Sequence, residues 1–220
     1  MKLASVHYKN KIEPMWHVQV AVLLAIGMQI ILNHELTIGP KYLIALFEVF
    51  LLFSLAVIKP RDKPGNRGLR HTLALLLIAV ISVANILSLI LVIHGLLTGN
   101  ATSGRALIGS AMVIYITNIV IFGLWYWELD SDGIQNQSPK VRPIDFLFPQ
   151  MRLPADSPID KNWTPSFFDY LYISITNAVA FSPNDTVPLT HRAKLLMTMQ
   201  SLISVVTVAL VVTRAVTILA

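Results

Sequence analysis

The sequence predicts an all-α polytopic membrane bundle of five spans plus one re-entrant, pore-type helix, with six full spans as the alternative count. Three observations point there. Hydrophobic residues make up 55% of the chain and charged residues only 13%, about half the charged share of a soluble domain. The apolar residues gather in runs long enough for a bilayer, separated by short polar loops rich in Pro and Gly. One late segment, residues 164–190, is half polar and too short to cross.

Residues 1–14 are polar and carry Lys2, Lys9 and Lys11. Residues 15–32 form the first apolar run, opening with Trp16 and His17, an amphipathic edge suited to the membrane interface. No small-x-small cleavage site follows it, so it reads as a retained span rather than a signal peptide. Pro40 opens a second helix over 41–58. Residues 59–70, KPRDKPGNRGLR, hold five Lys/Arg against one Asp. The positive-inside bias places this loop, and the N-terminus two spans before it, in the cytoplasm. Residues 71–94 form a third span, 95–105 a small outer loop, and 106–127 a fourth span. That span ends in Trp125-Tyr126-Trp127, expected as an aromatic belt at the inner interface.

Residues 1–127 thus read as a four-helix transmembrane region. Residues 128–163 read as a polar loop with six acids and four Lys/Arg, in which Phe146 and Phe148 are expected to dip into the interface or pack under the helices. Residues 164–220 read as a pore-loop-like short helix plus a final transmembrane helix. The stretch 195–213 has no charge, with Arg192 and Lys194 before it and Arg214 after.

Within 164–190, Thr164 is a good N-cap and Pro165 a good first helical residue. A helix over 167–181 puts Asp169, Tyr172 and Thr176 on one stripe, with Phe167, Leu171, Ile175 and Ala178 opposite. Ser-Pro-Asn-Asp at 182–185 breaks it, Pro188 prevents an early restart, and Thr190 can cap the next helix. The short helix covers about 22 Å, against an apolar core of about 30 Å. A re-entrant segment lining a wet cavity is the expectation.

Two resemblances enter on these residues. The order of spans and loops, the stretch Phe168-Asp169-Tyr170-Leu171-Tyr172, the Ser-Pro-Asn-Asp turn and the terminal helix resemble a functionally uncharacterised family of bacterial integral membrane proteins with a DFLYFS-like stretch. That resemblance implies a layout and a bacterial cytoplasmic membrane, multi-pass, but no activity. Asp185-x-x-Pro188-x-Thr190 before a long apolar helix is similar, locally, to the region after the selectivity filter of potassium channels. It implies a pore helix and a homo-oligomer, a tetramer. The sequence departs from that family in lacking a TVGYG-like filter; residues 180–184 are Ala-Phe-Ser-Pro-Asn.

Candidate functional residues follow from depth and polarity. Thr176, Asn177, Ser182, Asn184 and Asp185 are the candidate lining for a cation or small polar solute, since a carboxylate at a pore mouth concentrates cations. Glu48, in the middle of the second helix, is a buried ionisable group, a proton or cation site or a structural lock. Asn85, Asn118 and Arg214 are supporting polar residues, Asn85 and Asn118 as partners for Glu48, and Gln200 reads as interhelical glue.

The chain contains no cysteine, which excludes disulfides and thiolate sites. No hydrolase, metalloprotease or nucleotide-binding motif occurs, and no histidine pair has metal-ligand spacing. The expectation is no enzyme, no cofactor, no metal and no nucleic-acid partner; the partners are the lipid bilayer, copies of the same chain and a cation. The leading reading is a channel-like pore. The alternatives are a non-transporting membrane partner or sensor working through 128–163, and a proton-coupled carrier using Glu48.

Overall fold

The computed structural model describes residues 16–32, 41–57, 64–98, 104–135, 144–153, 163–181 and 185–219. Six α-helices account for most of them: α1 (Trp16–Ile31), α2 (Lys41–Val57), α3 (Pro64–Thr98), α4 (Gly104–Gln135), α5 (Phe167–Ala180) and α6 (His191–Leu219). A two-residue strand β1 (Phe146–Leu147) pairs antiparallel with β2 (Val187–Pro188), Phe146 opposite Pro188 and Leu147 opposite Val187.

Three helical stretches are long and apolar enough to cross a membrane: Gly68–Thr98, Ala106–Asp130 and His191–Val216. Trp16–Ile31 and Ala45–Ser54 are shorter apolar helices of the same character. The molecule is an all-α bundle of an integral membrane protein. α1 packs on α2 and α4, and α3 packs on α2 and α4, so the first four helices form a square. α4 also carries α5 and α6 on its other side. This explains why α4 is apolar around most of its circumference: more than half of its apolar stretch is buried, against about a fifth of that of α6.

The helix boundaries differ from the sequence reading at two places. α3 starts at Pro64 rather than at residue 71. Proline is well suited to a first helical turn, where its missing N–H would have no intrahelical acceptor, so the second half of the basic stretch is helical. α4 continues past Trp127 to Gln135. Nothing in Glu-Leu-Asp-Ser-Asp breaks a helix, and two of its acids find partners. Glu128 lies 2.8 Å from His71 Nδ1, and Asp130 accepts hydrogen bonds described below.

The aromatic belt expected at Trp125-Tyr126-Trp127 is also corrected. Tyr126 is fully buried, Trp125 Nε1 donates to Ser82 Oγ at 2.9 Å, and Trp127 packs edge-on against Phe167. The three rings serve three different helix contacts because successive helical residues point 100° apart. Phe146 and Phe148 pack under the helices as expected, in a cluster with Tyr126, Tyr170 and Trp163.

One glycine sets a helix separation. A Cβ on Gly123 would lie 3.3 Å from the Leu171 Cα and 3.2 Å from its Cδ1. The close approach of α5 to α4 therefore requires a missing side chain at 123. Gly123→Leu is expected to push α5 off α4 and cost about 1–3 kcal/mol. Thermal unfolding of the detergent-solubilised protein checks this; an unchanged midpoint would show that the two helices do not pack this closely.

Candidate functional site: the re-entrant helix, its clasp and its polar seam

The direction of α5 is set by its contacts with α4. Phe167 meets Trp127, Leu171 meets Gly123, Ser174 Oγ donates to the Ile119 carbonyl at 2.6 Å, and Tyr115 Oη donates to the Ala178 carbonyl at 3.1 Å. α5 thus descends α4 antiparallel. α6 does the same: Arg192 Nη2 donates to the Leu129 carbonyl at 3.2 Å, and Asn118 Nδ2 donates to Ser204 Oγ at 3.1 Å. Two consecutive helices running the same way require the chain to climb back between them. α5 reaches the level of Tyr115, about 22 Å below Asp130 along α4. β2 and Thr190 lie back on the side from which α5 set out, against β1 and Asp145. The segment is re-entrant.

The start of α5 differs in one detail from expectation. The N-cap is Ser166 rather than Thr164, and Asp169 at N3 completes the motif: its Oδ2 accepts from Ser166 N at 2.7 Å and Ser166 Oγ at 2.8 Å. A capping box satisfies helix-end donors reciprocally, so it prevails over a lone threonine. Asp169 is therefore engaged in helix capping. The helix ends on Phe181, which adopts a left-handed conformation (φ 54°), a position usually given to glycine.

At the mouth of this segment lies a charged clasp. Asp145 and Asp130 are both buried. The Asp130 carboxylate accepts from the Asp145 backbone N at 2.6 Å and from Tyr170 Oη at 2.7 Å. The Asp145 carboxylate takes the Arg192 guanidinium, with Nε at 2.8 Å, and the Thr190 hydroxyl. Leu189 N donates to the Asp145 carbonyl at 2.8 Å, beside the β1–β2 pair. Thr190 caps α6 as expected, accepting from Ala193 N at 3.3 Å. One acid thus joins the polar loop, the returning strand and the start of α6.

Deeper, α4, α5 and α6 share a polar seam centred on Gln200, which is fully buried. Gln200 Oε1 accepts from Tyr126 Oη at 2.6 Å and Asn177 Nδ2 at 2.9 Å. Its Nε2 donates to Ser174 Oγ at 2.6 Å and the Ser174 carbonyl at 2.9 Å. Asn177 Nδ2 also donates to the Met197 carbonyl at 2.9 Å, and Ser201 Oγ donates to Asn177 Oδ1 at 3.3 Å. Every polar atom of the Gln200 amide is engaged. Interhelical bonds in a membrane are worth about 0.6 kcal/mol each on average, but removing the hub strands several groups at once.

The sequence-predicted residues fall in several places. Asn177 is in the seam. Thr176 is half-buried and turns its hydroxyl back onto the Tyr172 and Ile173 carbonyls of its own helix, both at 3.0 Å. Asp185 is exposed on the returning segment. Ser182 and Asn184 lie outside the described residues. Glu48 is 0% exposed, and it faces Gln29 rather than Asn85 or Asn118. Asn85 is buried on α3; Asn118 joins Ser204, with its Oδ1 buried and unpartnered among the described residues. Arg214 is half-buried near the far end of α6, its Nε enclosed without an acceptor among the described residues.

Sequence reading missed Gln29, Ser174 and Tyr126, and the clasp of Asp130, Asp145 and Arg192. Gln29 carried a usable signal, a lone amide deep in an apolar run. Asp145 carried none, since it lies in an irregular loop whose pairing depends on tertiary placement.

Comparisons with family models, curated proteins and solved structures give no match to this chain.

Two stability outcomes follow. Arg192→Ala leaves the Asp145 carboxylate buried without its cation and is expected to cost on the order of 3 kcal/mol. Arg192→Ala combined with Asp145→Asn should recover part of that loss in a thermal-unfolding double-mutant cycle. Additive effects would mean that the two groups do not interact. Gln200→Leu should cost about 1–3 kcal/mol and make a cysteine placed at 174 reactive to an aqueous thiol reagent, whereas the same cysteine with Gln200 intact should stay protected.

Proposed function

We propose that this chain is one subunit of a channel-like oligomer that passes a cation or a small polar solute, with α5 as its pore helix. The observation that supports this is the return of the backbone at depth. Non-helical chain inside the apolar layer is tolerated only where protein or water covers it. Phe181 and Asp185 are both exposed on the single subunit. The outer face of α5 is exposed too: Phe168, Tyr172, Ile175 and Val179 recur at helical spacing. A second copy packed on that face, around a wet axis, supplies the cover that one copy lacks.

The electrostatics favour a cation over an anion. A helix C-terminus carries roughly half a negative charge on its last carbonyls, and the C-terminus of α5 points into the apolar layer. Asp185 adds a full carboxylate on the path back. In this reading the near side, where α1 and α3 begin and where Arg70 and Arg192 lie, faces the cytoplasm of a bacterial inner membrane. The pore loop therefore enters from within.

The test has two arms. Protein reconstituted in nanodiscs should be a symmetric oligomer with α5 copies facing the central axis. Liposomes carrying it should show cation flux that falls on the order of tenfold in Asp185→Ala, because a mouth carboxylate raises local cation concentration. A monomer with Phe168 and Tyr172 in lipid contact, and no flux above empty liposomes, would defeat the reading.

A further inference from the structure

Apart from α5, the described chain buries another polar constellation in the apolar layer, on the opposite side of α4. Glu48 sits near the middle of α2 and is fully buried against α1. The Gln29 side-chain amide bridges it to α3. One end of that amide lies 3.1 Å from both Glu48 carboxyl oxygens, and the other lies 3.3 Å from the Ile81 carbonyl oxygen. The amide is thus held between acceptors on both sides. It has only one donating end.

Chemistry allows two arrangements. If the Glu48 carboxyl carries a proton, its O–H donates to Gln29 Oε1 and Gln29 Nε2 donates to the Ile81 carbonyl; both contacts then have a donor, and only the carboxyl C=O still faces Oε1. If the carboxyl is ionised, Gln29 must turn over so that Nε2 donates to it. Oε1 then faces the Ile81 oxygen, and the tie to α3 is lost. Each proton state selects one amide orientation.

Among the described residues, no opposite charge pairs with Glu48. α1 carries one titratable residue, His17, three turns away toward its start. α3 carries Arg67, Arg70 and His71 near its start and His94 near its end. α2 itself adds Lys41 and Tyr42, about two turns away at its start. α2 packs mainly on α1 and α3; the acids of α4, Glu128 and Asp130, lie near its end, with Glu128 against His71 and Asp130 against Tyr170. Among the described residues, the partner of the carboxyl within hydrogen-bond reach is the Gln29 dipole, and a bare carboxylate in an apolar layer is expensive to hold by a dipole alone.

We propose that Glu48 and Gln29 form a proton-binding site within the membrane, in which binding one proton from water closes a hydrogen-bonded chain from α2 through α1 to α3 and releasing it opens the α1–α3 link. The site belongs to the four-helix square and stands whether or not α5 lines a pore. Its consequence is mechanical. Proton occupancy decides whether three helices are tied together at one depth or only two.

Difference infrared spectroscopy of the full-length protein in lipid, between acid and alkaline pH, tests this. The expected result is a carboxylic-acid carbonyl band that titrates, disappears in Glu48→Gln, and shifts to higher frequency in Gln29→Met through loss of its hydrogen bond. A Gln29 amide change should titrate with it. Glu48→Gln also gives a second readout, because its amide N–H donates to Gln29 Oε1 as the protonated acid does. That variant should fold normally and lose the part of the pH dependence of the unfolding midpoint that wild type shows. Titrating carboxyl bands identical in wild type and Glu48→Gln would overturn the site. A Glu48 band indifferent to Gln29→Met, in protein that elutes and unfolds like wild type, would overturn the coupling to Gln29.

Discussion

Inside a hydrocarbon layer every backbone and side-chain polar group must find its partner within the protein, and the second half of this chain is arranged around that requirement. α5 ends at the level of Tyr115, and α6 starts again beside Leu129 and runs the same way. Such a segment persists only if it is held from both ends and from behind. The clasp at Asp145 holds the returning end, the capping box at Ser166 and Asp169 holds the starting end, and the Gln200 seam holds the middle. Each of the three uses charged or amide groups whose alternatives in lipid would be unsatisfied.

α4 makes this possible by being buried on two opposite sides. It completes the square of α1 to α4 and at the same time serves as the wall for α5 and α6. Gly123 and Ile119 face α5, Tyr126 and Asn118 face α6, and Thr117 Oγ1 meets Met28 Sδ of α1 at 3.5 Å. A helix with contacts on every side cannot show a clear apolar stripe. The same fact explains why its polar residues look scattered in the sequence and ordered in the structure.

Much of the layout was legible beforehand. The run of apolar residues from Trp16, the start of α2 at Lys41 and the start of α6 after Thr190 follow directly from hydropathy and capping chemistry. The short helix at Phe167 was legible because Ser-Pro-Asn-Asp cannot continue it. The choice between Thr164 and Ser166 as cap was not, because it turns on a reciprocal bond to Asp169. Asn177 was singled out as a lining residue, and the structure places its amide on Gln200 and Met197. Face assignment on a helix wrapped by two neighbours cannot be read from one periodicity. Tyr126 differs from expectation for a similar reason: next to two tryptophans it resembles an interfacial anchor, and only the position of α6 shows that its hydroxyl is needed inside.

The dependence of α5 on Gln200 has a consequence for how the protein is made. During synthesis α4 emerges first, then α5, and only later the part of α6 that carries residue 200. Until then Ser174, Asn177 and Tyr126 lack their shared partner. A helix too short to span, with no hub to receive its polar face, gains little by entering lipid early. Its polar face is fully partnered only when residue 200 of α6 is in place. α6 is therefore the helix that completes this part of the interior.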